Sequence, residues 1–425
     1  MSEATKRNLL LTIIVLTSAP ALLLVDLPAH ANVAKIALYF SAIAGYLGVM
    51  LLLWMYVLGA KSVFGLWFRD IAPIMKIHRR LGTYGAIAIL LHPLLIIYSY
   101  GESLLYPLVP HIGSVFERHV TLGRLAFLLF AIVWLSSALL RKHMAYRPWK
   151  YIHYLAYICL PFALLHIPNV GSQYMSSTAV QVYFVAILLT FVIFGFLRLR
   201  GFINSDRTAY IISRHSMLSP DTYLLEMQPQ NPGVIVQPKP GQYVHIKFGL
   251  VSEDHPFSVV ASHKDGSLIL AYRRVGRFTN FLSQQSIGTR VHLSQPSGAF
   301  LDTMNPSEPT VFIAGGIGIT PFVQALIAER SPDNTWLISA NRTKESSVFL
   351  DPLQASLGSN AITLFSNEGA HESLSKEVIE RYLADPAAYH YFLCGPEGFM
   401  SAAKRILASL NVPSAHIHTE AFDFS

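Results

Sequence analysis

The chain has 425 residues, of which 52% are hydrophobic and 13% charged, with a formal net charge of +7 and a mean hydropathy of +0.41. That is too apolar for an ordinary soluble protein, so part of the chain belongs in lipid, and its length suffices for two or three domains. The only cysteines, Cys159 and Cys394, lie far apart and outside any CxxC spacing, which argues against a disulfide framework, an iron–sulfur cluster or a zinc site.

Apolar stretches run over about 9–25, 34–58, 81–100, 119–140, 151–168 and 178–197. Each is near the roughly 20 residues that cross about 30 Å of hydrocarbon, which predicts six transmembrane helices. The first admits a second reading as a signal peptide, since Lys6 and Arg7 precede it and PAHA at 28–31 resembles a cleavage site. Basic residues gather at Lys6 and Arg7, at Lys61, Arg69, Lys76, Arg79 and Arg80, at Arg141, Lys142, Arg147 and Lys150, and at Arg198 and Arg200. These segments all fall on one side of a six-helix arrangement, so both termini and everything after residue 200 are expected in the cytoplasm. This placement of the positive charge explains it without nucleic acid.

Ionisable groups at membrane depth are costly and usually functional. His78 and His92 lie on the third helix, in HRRLGTYGAIAILLHP, and His153 and His166 on the fifth, in HYLAYICLPFALLH. The two helices run in the same direction, which pairs His78 with His153 near the cytoplasm and His92 with His166 further out. At about 1.5 Å per residue the two levels are roughly 20 Å apart, a spacing suited to two stacked haems, each held by two histidines. A separation of 14 residues returns to within about 40° of the same helix face, whereas 13 misses by about 140°. Pro161 therefore predicts an irregular turn near 157–161 that resets the phase of the fifth helix. His30, His111, His119 and His143 read as loop or helix-end residues.

From Arg207 the pattern becomes short strands: TAYIISRH, TYLLEMQP, GQYVHIKF, HPFSVVASH, SLILAYRRV and TRVHLSQP, which together suggest a small antiparallel barrel. After residue 308, strands alternate with helices, as in a parallel nucleotide-binding sheet. The expected organisation is a multidomain membrane protein: a six-helix bundle over 1–200, a β-barrel over 207–304 and an α/β domain over 308–425.

HPFS at 255–258, GGIGITP at 315–321, CGPEGFM at 394–400 and EAF at 420–422 resemble the ferredoxin–NADP reductase fold. Joined to the paired histidines, the whole chain resembles the NADPH oxidase and ferric reductase superfamily in a compact bacterial form. The resemblance implies FAD, NADPH and two b-type haems as cofactors. The inner haem iron would be held by His78 and His153, the outer by His92 and His166. FAD would contact His255, Pro256, Phe257 and Ser258, with Arg273, Gly276 and Thr279 near its diphosphate. NADPH would lie on Gly315, Gly316, Gly318, Thr320 and Pro321, with Arg342 at the 2′-phosphate and Cys394, Gly395 and Pro396 bordering the nicotinamide, Cys394 among the catalytic groups. Phe422, or else Phe424, would stack on the flavin.

The implied function is transfer from NADPH through FAD and the two haems to oxygen on the far side of a bacterial inner membrane, giving superoxide. Two alternatives share parts of the sequence: a transmembrane reductase of ferric or cupric ions, and a membrane-tethered flavin reductase without haem. No EF-hand loop, proline-rich segment or low-complexity stretch is present, so no obligate protein subunit is expected.

Overall fold

The computed structural model describes residues 1–28, 32–65, 67–68, 71–203, 206–249, 252–328, 334–368 and 372–421. Two units emerge, Met1–Leu199 and Arg200–Ser425.

Six helical stretches of the first unit are long and apolar enough to cross a membrane. They are α1 (Glu3–Ser18, continued by Pro20–Leu23), α2 (Val33–Leu58), α3 (Ala72–Tyr100), α4 (Val115–Trp134), a span made of α5 (Tyr146–His153) and α6 (Ala156–Val170), and α7 (Thr178–Phe202). Local sequence starts them: the side chains of Ser2, Asn32 and Ser114 accept from the N–H groups of Thr5, Lys35 and Glu117, satisfying donors that a helix leaves unpaired. Gly101 ends α3 at φ +67, a left-handed stop that costs glycine little. Leu10 and Ile14 of α1 share a core with Leu53, Ile74, Phe130, Leu160 and Phe184, so the stretch with the alternative leader reading packs as a member of the bundle. α3 starts nine residues before its apolar run because Lys76, Arg79 and Arg80 favour helix and carry their charges outward on apolar stems.

Small residues let the backbones approach. A Cβ on Gly48 would stand 3.0 Å from Ile89, and one on Gly85 3.1 Å from Leu51, which brings α2 against α3 along its length. The irregular turn expected at 157–161 lies earlier, at Tyr154 and Leu155 between α5 and α6, and α6 runs unbroken through Pro161. Leu155, Tyr157 and Ile158 donate to the carbonyls three residues back, those of Ile152, Tyr154 and Leu155. This is the tighter 3₁₀ pattern, and it falls in the turn before the proline because Pro161 brings no N–H to the carbonyl of Tyr157 four residues earlier. A 3₁₀ residue turns about 120° instead of about 100°, so a run of four closes roughly 80° of the misfit between His153 and His166.

In the second unit, six strands close an antiparallel barrel in the order β1-β2-β5-β4-β3-β6. They are β1 (Thr208–Ser219), β2 (Thr222–Pro229), β3 (Tyr243–Lys247), β4 (His255–Ser262), β5 (Leu268–Arg273) and β6 (Arg290–Leu293), with α8 (Arg277–Ser283) between the last two. Alternation fills the interior with Tyr210, Ile212, Val244, Ile246, Leu268 and Leu270. β7 (Thr310–Gly315), α9 (Thr320–Ala328), β8 (Thr335–Asn341), α10 (Leu350–Leu357), β9 (Ala361–Phe365), α11 (Lys376–Tyr382), β10 (His390–Gly395), α12 (Glu397–Ser409) and β11 (Ile417–Ala421) follow. The strands form a parallel sheet in the order β11-β10-β7-β8-β9. β7, buried at every position, reads as the continuous apolar run of a strand covered on both faces.

Candidate functional site

The four histidines meet as two pairs. The rings of His78 and His153 have centres 6.2 Å apart, and those of His92 and His166 6.5 Å apart. Two imidazoles sharing one iron through Nε2 place their centres about 6 Å apart, given metal–nitrogen bonds of about 2 Å and about 1 Å from nitrogen to ring centre. The residues present thus fit a haem at each level.

All four Nδ1 atoms are tied. His78 Nδ1 donates to the Met55 carbonyl at 3.0 Å and His92 Nδ1 to that of Ser41 at 2.9 Å. His166 Nδ1 donates to the His119 carbonyl at 2.8 Å, and His153 Nδ1 meets Ser137 Oγ at 3.1 Å. Fixing Nδ1 sets the ring plane and the tautomer and turns Nε2 toward the pair, the usual outer-shell arrangement of a ligating histidine. α2 thereby orients both histidines of α3, and the α4 segment both histidines of the α5–α6 span. Ser137 lies in a π-helical turn at Leu135–Leu139 at the end of α4, an extra-wide turn that re-aims side chains. There it also accepts from Trp149 Nε1 at 3.1 Å, and the Trp149 ring stacks on His153 at 5.0 Å.

Space for the outer pair is made by glycine: a Cβ at Gly45 would stand 3.0 Å from the His92 ring, and one at Gly123 2.6 Å from that of His166. His119, read from sequence as a helix-end residue, holds His166 through its carbonyl, donates from Nδ1 to Leu165 O at 2.7 Å and accepts from Asn169 at 3.0 Å.

In the barrel, the HPFS residues on β4 meet the helix that follows β5. His255 stacks on Phe278 at 4.0 Å, and Phe257 lies 6.0 Å from Phe278 and 5.9 Å from Tyr272. Ser258 is buried and Pro256 exposed. Tyr272 bonds to His215 Nε2 at 2.8 Å and stacks on Tyr223; burial pushes its phenol well up. Arg273, the next residue after Tyr272, forms a salt bridge to Asp221 at 2.5 Å. Thr279 Oγ1 accepts from the N–H groups of Val275 and Gly276 at 3.0 Å each, closing the loop on its own helix.

GGIGITP and CGPEGFM meet backbone to backbone at the ends of β7 and β10. A Cβ on Gly318 would stand 2.4 Å from the Cys394 carbonyl, and one on Gly395 3.1 Å from Gly315 Cα. Gly316 takes φ +56 and Gly395 φ +152, conformations open to glycine. Phe399, which the sequence reading passed over, packs where a Gly315 side chain would go, at 2.7 Å. Thr320 is buried and its hydroxyl donates to Ile317 O at 3.0 Å, with Pro321 the next residue of α9. The result is a crevice floored by bare backbone at the carboxyl ends of parallel strands, where such sheets take nucleotides. Arg342 is exposed just beyond β8. Cys394 is 0% exposed, and burial, aided by the charge of Glu420, pushes its thiol well up, so it stays neutral. Pro396 precedes α12 as its cap. Gln324 of α9 donates to Ser262 of β4 at 3.1 Å, linking the crevice to the strand that carries HPFS. Ala421 pairs with Gly395; Phe422 and Phe424 lie outside the described residues.

Models of known families match in the same order: ferric reductase like transmembrane component over residues 44–164, FAD-binding domain over 212–343, and oxidoreductase NAD-binding domain over 312–405. The ferredoxin reductase component of 3-ketosteroid-9-alpha-monooxygenase from Mycobacterium tuberculosis is 31% identical over 169 residues, 38% of this chain and 47% of that protein. The electron transfer subunit of dihydroorotate dehydrogenase B (NAD(+)) from Desulforamulus reducens is 27% identical over 206 residues, 46% of this chain and 76% of that protein. The chain spans about half the length of the first of these relatives. Among solved structures, the flavohem-like FAD/NAD binding domain of nitric oxide dioxygenase from Vibrio cholerae matches at 22% identity with a TM-score of 0.46, covering 51% of this chain and 99% of that one.

Proposed function

We propose that this chain, which belongs to the ferric reductase-like transmembrane superfamily with fused FAD- and NAD-binding domains, moves electrons from cytosolic NADPH across a bacterial inner membrane to oxygen, giving superoxide. One observation carries the reading: two histidine pairs, 6.2 and 6.5 Å between ring centres, stand at two levels of one helical bundle. His78 and His153 hold the inner b-type haem, His92 and His166 the outer. When bound, the flavin divides a two-electron hydride into single electrons and the haems carry them one at a time.

The protein supplies position and polarity. The bare backbone around Gly315, Gly318 and Gly395 admits a dinucleotide close to the sheet, and the exposed Arg342 guanidinium suits a 2′-phosphate. His255, Phe257 and Phe278 form an aromatic wall for the flavin, with Phe422 or Phe424 as its cover. Neutral Cys394 borders the nicotinamide without introducing charge. Two histidines at each pair leave no iron position for a substrate, so the acceptor need only approach the outer pair, which suits a small diffusible molecule. The basic clusters flanking the spans support a cytoplasmic second unit, and the reading calls for no protein subunit.

The test is NADPH-driven cytochrome c reduction by purified, FAD-supplemented protein in detergent, with and without superoxide dismutase, beside a reduced-minus-oxidised spectrum. A b-type spectrum with dismutase-sensitive reduction is expected. A b-type spectrum with dismutase-insensitive reduction reassigns the acceptor to a metal ion or carrier, and a protein without haem overturns the transmembrane route in favour of a tethered flavin reductase.

A further inference from the structure

Arg198, near the end of α7, reads in sequence as one more basic residue at a membrane boundary. In the structure its guanidinium sits between two tyrosine rings, 4.6 Å from the centre of Tyr56 and 5.0 Å from that of Tyr157. Nη1 donates to Tyr157 Oη and Nη2 to the Tyr56 carbonyl, each at 2.5 Å. Nε is buried with no hydrogen-bond partner among the described residues. The slot is shaped for it: a Cβ on Gly59 would stand 2.6 Å from Nη2. Arg198 thus ties α7 to the end of α2 and to the start of α6. The acceptors just named are a phenol and a carbonyl, so neither cancels its charge.

The Tyr56 carbonyl that receives Arg198 is next in the chain to the Met55 carbonyl that fixes His78 Nδ1. Tyr157 belongs to the 3₁₀ break that follows His153, its own N–H donating to the Tyr154 carbonyl at 3.0 Å. The same clamp therefore bears on both histidines of the inner pair, whereas the outer pair is anchored elsewhere, on Ser41 and His119.

We propose that Arg198 is the positioning residue of the inner histidine pair. It fixes the carbonyl edge of α2 that sets the His78 ring, and its charge, half-buried between the Tyr56 and Tyr157 rings, favours the reduced state of an iron held there. The inference rests on the haem reading above and concerns one of its two sites only.

The experiment uses the full haem-loaded protein, as wild type, Arg198→Gln and Arg198→Lys. It combines a redox titration of the two haems with low-temperature electron paramagnetic resonance of their oxidised states. A His166→Ala protein, keeping only the inner pair, assigns the signals. Arg198→Gln is expected to lower the inner midpoint and shift the inner low-spin signal, leaving the outer midpoint and signal in place. Arg198→Lys, which keeps the charge but not the two-point fork, is expected to shift the signal while recovering most of the midpoint. If Arg198→Gln does not fold, Tyr157→Phe, which removes one acceptor and keeps the ring, is expected to shift the same signal by less. Inner properties unchanged in the folded variants, or both haems shifted equally, would overturn the proposal. Absence of haem from the wild type would instead overturn the functional reading on which it rests.

Discussion

Glycine at position 123 decides whether His166 keeps its place. A methyl group there would fall 2.6 to 2.9 Å from three atoms of the imidazole, closer than carbon and nitrogen tolerate, and the ring is already anchored to the His119 carbonyl, so it has little freedom to yield. Gly123→Ala is therefore expected to lose the outer haem, cutting haem per protein to about half, and to destabilise the bundle by about 1–3 kcal/mol, the usual cost of overpacking. Gly65→Ala is the control, since nothing lies within 4 Å of its added Cβ. A pyridine haemochrome assay on both variants checks the difference, and equal haem in the two would show that the close approach is not needed. The histidines themselves were legible in the sequence because an imidazole at membrane depth stands out against apolar neighbours. Their anchors were not. Met55, Ser41 and His119 act through backbone carbonyls, which every residue has, and only the helix pairing selects which carbonyl is used. Arg273 likewise stands out in sequence as a basic side chain in a motif, but its salt-bridge partner Asp221, 52 positions earlier, is set by the pairing of β2 with β5, which sequence alone does not give.

At the scale of elements, the six spans and both sheets could be read because each rests on a periodicity: continuous apolar runs for lipid, alternation for the barrel, buried strands alternating with helices for the parallel sheet. The break in the fifth span shows where that reading loses resolution. Proline identity signalled an irregularity, but its effect fell on the preceding turn, where the N–H groups of Leu155, Tyr157 and Ile158 bond to the third residue back instead of the fourth. If Pro161 maintains that tighter turn, Pro161→Ala gives the Tyr157 carbonyl an N–H partner and lets the span relax toward regular helix, with a gain of up to about 3 kcal/mol in helix stability. The cost is phase: His166 rotates away from the face it shares with His153 and one pair opens. A higher melting temperature for the haem-free protein together with lower haem content is the expected outcome. Unchanged haem content and spectrum would place the origin of the break in the packing of α5 instead.

At the scale of the whole molecule, hydrophobic burial is partitioned. The bundle core draws on residues from Leu10 to Ile187, and the cores of the second unit begin at Tyr210 and draw only on residues beyond it. Within the second unit the barrel and the sheet are joined: Val260 and Ala271 of the barrel lie in the same cluster as Phe312 and Phe322. A unit with its own interior and its own nucleotide crevice has what it needs to fold alone. The fragment 200–425 is thus expected to be soluble, to retain FAD and to pass electrons from NADPH to ferricyanide. On the proposed function, transmembrane transfer is expected to need the histidine pairs as well. In liposomes holding the intact chain, with NADPH outside and cytochrome c trapped inside, reduction of the trapped cytochrome c is expected only from molecules whose second unit faces outward. It should vanish in His92→Ala while ferricyanide reduction outside persists. Loss of both activities in that variant would mean that the outer pair supports the fold of the flavin unit rather than the passage of electrons. A fragment that purifies without FAD would mean that the flavin site draws on residues before position 200.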